Sequence, residues 1–202
     1  MRKAALLLAA AVLLGCPLPA HAGGAHWLGY DVGAGIPSGF LGDFAETGPN
    51  VGVSYTYMFT PYTGLGAEIE YYRWRNTAEI EEAYRYFYGD GAQYKQSDWQ
   101  TTVHGVLALP IGRVTPYAKA GVGYYAAKHW MAVDGEEYWL GDQWLGHLTG
   151  GGLNLLLRDD VTVGASAAYH RYGDGARHHK IVYWSGALQL SWKMPWSTKV
   201  AP

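Results

Sequence analysis

Charge is scarce in this chain, and sulfur scarcer. Lys, Arg, Asp and Glu make up 16% of the 202 residues, and Cys16 is the only cysteine. One cysteine excludes an internal disulfide and any cysteine-built metal cluster. A formal net charge of −2 with no block of basic residues gives no electrostatic footprint for nucleic acid. Beyond the N-terminal region no stretch of 18 apolar residues occurs, so no membrane-spanning helix is expected. What the chain does hold is 17 Tyr, 9 Trp and 28 Gly. Such a composition can still meet lipid, provided its apolar residues alternate with others.

The N-terminus reads as an export leader. Arg2 and Lys3 form a positive start, Ala4 to Gly15 an uncharged apolar stretch, and Pro17 and Pro19 break it before Ala20-His21-Ala22. That small-x-small triplet suits a signal peptidase, so residues 1–22 are expected to be a signal peptide cut after Ala22. About a dozen apolar residues are too few to span a bilayer. A competing site exists: Leu13-Leu14-Gly15-Cys16 resembles a lipobox, though its middle position is Leu and Pro17 follows. Cleavage there would leave a lipidated Cys16. Removal of residues 1–22 takes the basic count from 15 to 13 against 17 acids, a net charge of −4.

Eight segments then alternate with a period of two. Leu28, Tyr30, Val32, Ala34 and Ile36 oppose Gly29, Asp31, Gly33 and Gly35; Val51, Val53, Tyr55, Tyr57 and Phe59 oppose Gly52, Ser54, Thr56 and Met58. Leu65, Ala67, Ile69 and Tyr71 oppose Gly66, Glu68, Glu70 and Tyr72, and Thr101, Val103 and Leu107 oppose Gln100, Thr102 and His104. Ala118, Ala120, Val122 and Tyr124 oppose Lys119, Gly121, Gly123 and Tyr125; Thr149, Gly151, Leu153 and Leu155 oppose Gly150, Gly152 and Asn154. Val161, Val163, Ala165 and Tyr169 oppose Thr162, Gly164, Ser166 and His170, and Val182, Trp184, Leu188, Leu190 and Trp192 oppose Ser185, Ala187, Gln189 and Ser191. Each run has roughly the ten residues with which a tilted strand crosses hydrocarbon.

The connections alternate too. Residues 60–63, 110–115 and 158–160 are short, whereas 37–49, 75–97, 128–143 and 173–180 are mostly longer and polar. Periplasmic turns and extracellular loops differ in this way, and two periplasmic termini demand an even strand number. Within the second loop, Asn76 and Glu79 have capping-box spacing, Glu81 and Arg85 stand four apart, and Gly89 can end a helix, so a short helix is expected near 77–88. In the third loop Asp134-Gly135 signals a type I′ hairpin that pairs Val133 with Glu136.

A spanning sheet must satisfy its backbone groups internally, which a closed barrel does. The expected fold is therefore all-β: an antiparallel up-and-down transmembrane β-barrel of eight strands over residues 23–192, with a polar filled interior and a short tail over 193–202. Asp31, Glu68, Glu70 and Lys119 fall on the inner face, where an ion-pair network is expected because an isolated charge would cost several kcal/mol. Trp27, Tyr57, Phe59, Trp99, Trp144, Trp184 and Trp192 are candidates for the interfacial girdles.

Thr115-Pro116-Tyr117-Ala118-Lys119-Ala120-Gly121-Val122-Gly123-Tyr124 resembles the periplasmic turn and ascending strand of small OmpA/OmpX-type outer-membrane barrels. Gly150 to Leu155, with Arg158-Asp159-Asp160 and Val161-Thr162-Val163 after it, is similar to their late turn and strand pair. The final strand, alternating to Trp192, is similar to the aromatic-ended signal read by the barrel-assembly machinery, although ten further residues follow. The resemblance covers most of the chain and implies residence in the outer membrane among lipopolysaccharide.

An eight-stranded lumen fills with side chains, so a porin role is not expected and binding falls to the loops. Tyr84, Phe87, Tyr88, Trp130, Tyr138 and Trp139 are the candidate contact residues there, toward lipopolysaccharide, a surface protein or a host ligand, with mutual packing as the plainer reading. Lipid A deacylases share the barrel and use His-x-Ser, but here the triplet is His170-Arg171-Tyr172 and residues 181–192 hold no acid, so no enzymatic activity is expected. His129, His147, His178 and His179 lack a metal-site spacing, and Gly33-Ala34-Gly35 precedes no helix; no metal or cofactor is expected. A soluble lipocalin-like lipoprotein would need the opposite polarity, apolar within and polar without.

Overall fold

A computed structural model describes residues 24–173 and 180–195. The leader expected over 1–22, the lipobox Cys16, His178, His179 and most of the tail lie outside the described residues. Eight long strands follow in order: β1 (Ala25–Gly39), β2 (Gly48–Met58), β3 (Thr63–Asn76), β4 (Gln93–Ala108), β5 (Val114–Val133), β6 (Glu136–Arg158), β7 (Val161–Tyr172) and β8 (Ile181–Lys193). Each pairs antiparallel with its sequence neighbour, and β1 pairs with β8 from Trp27↔Lys193 to Gly39↔Ile181. The sheet therefore closes, and no barrel strand is left with a free edge at membrane depth.

The two faces separate as their alternation requires. Val122 is 67% exposed, while Lys119 on the same strand is 8% exposed. Val32, Val51, Leu107, Leu153 and Leu188 also stand on the outer wall. From the Trp192 end up to Tyr71, Trp99, Tyr124, Tyr169 and Trp184, the outward positions hold no Asp, Glu, Lys or Arg. Such an apolar wall is unstable in water and matched to hydrocarbon.

Two proposed girdle residues face the other way. Trp27 shares the parity of Asp31 and lines the lumen near the short turns. Trp144 shares the parity of Leu148 and packs on Tyr172, with ring centroids 5.5 Å apart. Tyr57 does lie on the outer face, but His26 covers it at a centroid distance of 4.6 Å.

Above the membrane the first three loops carry defined elements. α1 (Ala78–Tyr88) is capped by Thr77, whose hydroxyl accepts from Ile80 N; Asn76 instead donates to the Tyr94 carbonyl at 2.7 Å. A Thr at N-cap and its N3 contact satisfy an orphan amide, which Asn76 one residue earlier cannot do. Gly89 ends the helix at φ 88°, and the exposed Glu81–Arg85 pair stands at 3.9 Å. β5 and β6 continue as one hairpin to Asp134 (φ 53°) and Gly135 (φ 82°), and Val133 pairs with Glu136. Positive φ at both turn positions is the type I′ geometry that matches strand twist. In the first loop a 3₁₀ turn, Phe40–Asp43, brings Leu41 down over the lumen, and the bridge Ala45–Glu46 pairs with the top of β3.

Because the outer wall meets lipid, Val122→Arg and Leu153→Arg are each expected to cost about 2–4 kcal/mol and block assembly. Thr56→Val, on the inner face, should be mild. Heat-modifiable gel migration reads all three; equal behaviour would contradict the facing described.

Candidate functional site

The lumen is divided in two. Its loop-side half is an aromatic plug: Tyr125 stacks on Tyr172 at 4.4 Å, His170 on Tyr183 at 4.5 Å and Tyr72 on Trp74 at 5.5 Å, with Leu41 as a lid. Glycines opposite admit these rings, since a Cβ on Gly35 would lie 2.7 Å from Trp74 and one on Gly146 2.8 Å from Tyr125. The turn-side half is a cavity of about 440 Å³ that runs from Trp27 and Pro110 up to Glu68 and Lys119. The interior is thus filled on one side only.

Asp31, Glu68, Glu70 and Lys119 occupy the middle of this lumen. Lys119 Nζ donates to Glu68 Oε1 at 2.5 Å, and His104 Nε2 lies 3.9 Å from the same oxygen. Glu70, two residues along β3, is held differently, accepting from Asn50 Nδ2 at 3.2 Å and from Gln100 Nε2. Gln100 in turn accepts from the Tyr183 hydroxyl, which ties the carboxylate to the plug. Asp31 faces Ser54 and Gln189, and among the described residues no donor reaches its carboxylate at hydrogen-bond geometry. Further up, Tyr172 donates to Asp98 at 2.7 Å, and His170 Nε2 lies 2.9 Å from Ser185 Oγ, with Tyr125 on its other nitrogen at 3.3 Å. The sequence pattern puts Asp31, Glu68, Glu70, Lys119 and Gln100 on the inner face but leaves Asn50, Tyr183 and Asp98 unnamed. These three share the inward parity, the one signal available.

The six candidate loop residues divide into two groups. Tyr84 leaves α1 to stack on Tyr94 at 4.8 Å and lies 5.6 Å from Tyr88, while Phe87 is 74% exposed. Trp130 sits under Lys95 Nζ at 4.3 Å and 6.3 Å from Trp139, its neighbour across the hairpin; Tyr138 donates to Glu136 at 2.7 Å. The Tyr94 hydroxyl, 2.6 Å from His129 Nδ1, links the helix side to the hairpin. Burial lowers the His129 pKa, with Asp142 opposing, and burial raises that of Tyr94, helped by Tyr84 and Asp98. Burial thus disfavours the charged form of both partners.

A closed eight-stranded barrel with an apolar, girdled outside and a blocked lumen defines a class, the small β-barrels of the Gram-negative outer membrane. The chain belongs to the family described as the outer membrane protein beta-barrel domain, whose profile matches residues 8–191. No curated protein matches it in sequence. Among solved structures it is similar to neisserial surface protein A at 16% identity and a TM-score of 0.54, covering 84% of this chain and 97% of that one. It is similar to Ail, the attachment invasion locus protein of Yersinia pestis, at 16% identity and a TM-score of 0.51, covering 84% and 96%. The N-terminal barrel of Pseudomonas aeruginosa OprF shares 13% identity at a TM-score of 0.53, covering 85% and 99%. The protein resides in the outer membrane.

Removing Lys119 leaves Glu68 buried without its cation, a loss on the order of 3–5 kcal/mol. Lys119→Ala is expected to lower the urea unfolding midpoint, and Lys119→Ala with Glu68→Gln to recover much of it. An unchanged midpoint in the single variant would remove the pair from any structural role.

Proposed function

We propose that this barrel acts without enzymatic chemistry, as a surface-interaction protein of the cell envelope whose β5–β6 hairpin is the contact element. The observation that carries the reading is the hairpin's outer edge. β7 leaves β6 at the Gly146↔Tyr172 pair, and among the described residues no strand pairs with Glu136–Leu145 on that side. An edge strand of this kind is a template for an added strand from a partner. Trp139 and Leu140 are 65% and 67% exposed along it, above the aromatic interface row, an apolar surface of the kind that marks an interaction site. Tyr138 and Trp139 are residues of the type that anchor interfaces.

The partner's chemistry follows from the charge. Asp134, Glu136, Glu137 and Asp142 line the hairpin, and no Lys or Arg lies between them. A protein segment that is extended, apolar and basic fits; a polysulfated sugar does not. Ail has been solved with the heparin analogue sucrose octasulfate, which suits a different surface charge from this hairpin's. Around the barrel itself the neighbours are outer-membrane lipid and lipopolysaccharide, and β8, with Trp192 next to its last residue, serves recognition by the barrel-assembly machinery. The hydrolase alternative is disfavoured, since His170 and Ser185 are buried inside the plug, across the wall from any acyl chain.

A deletion strain complemented with wild type or with Tyr138→Ala/Trp139→Ala tests the reading. Wild type should restore adhesion and the variant should fall at least about fivefold short, with equal heat-modifiable protein in both. Full adhesion by the variant would overturn the hairpin's role.

A further inference from the structure

The outer wall changes character abruptly at its upper rim. Tyr71, Trp99 and Ala126 form one outward row across β3, β4 and β5, through the pairs Tyr71↔Trp99 and Trp99↔Ala126. The Tyr71 and Trp99 rings lie 4.9 Å apart and mark the interface. The next outward row is Arg73, Ser97 and Lys128, from Arg73↔Ser97 and Ser97↔Lys128. Above it come Lys95 and Trp130, joined by their cation–π contact, and Arg75, which has Glu46 across from it in the short bridge. Arg73 and Lys128 are exposed, and neither has an ion pair among the described residues.

We infer that Arg73, Ser97 and Lys128 form a binding site for the phosphate of an outer-leaflet glycolipid, the phosphorylated headgroup of lipopolysaccharide. Strands stand about 4.8 Å apart, so the two cations flank Ser97 at backbone separations of that size. Both side chains are long enough to reach over the hydroxyl, which would set a guanidinium fork and an ammonium on either side of one phosphate. The row lies two residues, about 6.8 Å of strand, above the aromatic interface, at headgroup height. Directly below, Ile69, Val103 and Val122 offer the apolar wall along which acyl chains of the same molecule would lie. Free phosphate could use the cations but gains nothing from that wall, so the lipid is the occupant. Among the described residues the turn-side end of the outer wall has no comparable row: Arg113 lies in the turn before β5, and Arg158, the last residue of β6, stands 3.4 Å from Asp160. This site deepens the lipid side of the proposed function and rests on it, while being independent of the hairpin.

The test uses the full chain folded in detergent and immobilised phosphorylated lipopolysaccharide, the same lipopolysaccharide after phosphatase treatment, and dissolved inorganic phosphate as competitor. Wild type should bind the phosphorylated form at least about tenfold more tightly than the treated form, with little competition from millimolar phosphate. Arg73→Gln/Lys128→Gln should lose that preference, Arg73→Lys should keep most of it, and Arg113→Gln/Arg158→Gln should bind as wild type. Heat-modifiable migration confirms that each variant is folded. Equal binding by Arg73→Gln/Lys128→Gln, an equal loss in the turn variant, or indifference to phosphatase would each overturn the site. Trp139→Ala should bind lipopolysaccharide normally, so a failure here and a failure of the hairpin reading are told apart.

Discussion

In hydrocarbon every backbone N–H and C=O must find its partner within the protein. The rest of this structure depends on that constraint. It forces the sheet to close from β1 back to β8, and closure in turn assigns each residue to lipid or to lumen by parity alone. Once Val122 faces lipid, Lys119 three positions earlier must face inward, and a cation there requires an anion within reach. Glu68 supplies it. The buried pair is a consequence of closure, and removing either partner leaves the other charge buried without its counterion.

Closure also sets where function can lie. The plug of Tyr72, Tyr125, Tyr172, Tyr183 and Trp74 blocks the loop-side lumen, so traffic through the barrel is not what the architecture favours. Chemistry is displaced to surfaces that the barrel holds rigid: the rising β5–β6 hairpin with its exposed Trp139, and the cationic row above Trp99. The two differ in sign and height. An acidic, apolar edge rises above the barrel, and a basic row sits just above the aromatic interface. One strand, β5, contributes to both, with Lys128 in the row and Trp130 at the hairpin's base.

Much of the fold was legible in the residues because a period of two needs no long-range information. The inward and outward sets, the short turns, the Asp134-Gly135 hairpin and α1 all follow from local pattern. Errors arose where a residue type was weighed above its parity: Trp27 and Trp144 suit a girdle by chemistry, but counting from Asp31 and Leu148 turns them inward. Asn76 was preferred to Thr77 for its spacing to Glu79, yet the backbone enters the helix one residue later. Other features could not be read locally. The division of the lumen depends on how far large rings reach across it, and on Leu41 arriving from a loop. Similarly, the Arg73–Ser97–Lys128 row requires the register of β3 against β4 across the loop that carries α1, which no local pattern specifies.

The central claim is that the strands have one face in lipid and one in a closed lumen. Single cysteines placed in turn from Ala118 to Ala126, spin-labelled in a bilayer, test it most directly through their collision rates with oxygen and with a water-soluble nickel chelate. The account predicts strict alternation, with even positions accessible to oxygen and odd positions shielded from it. A uniform profile, or one with the odd positions facing oxygen, would contradict it.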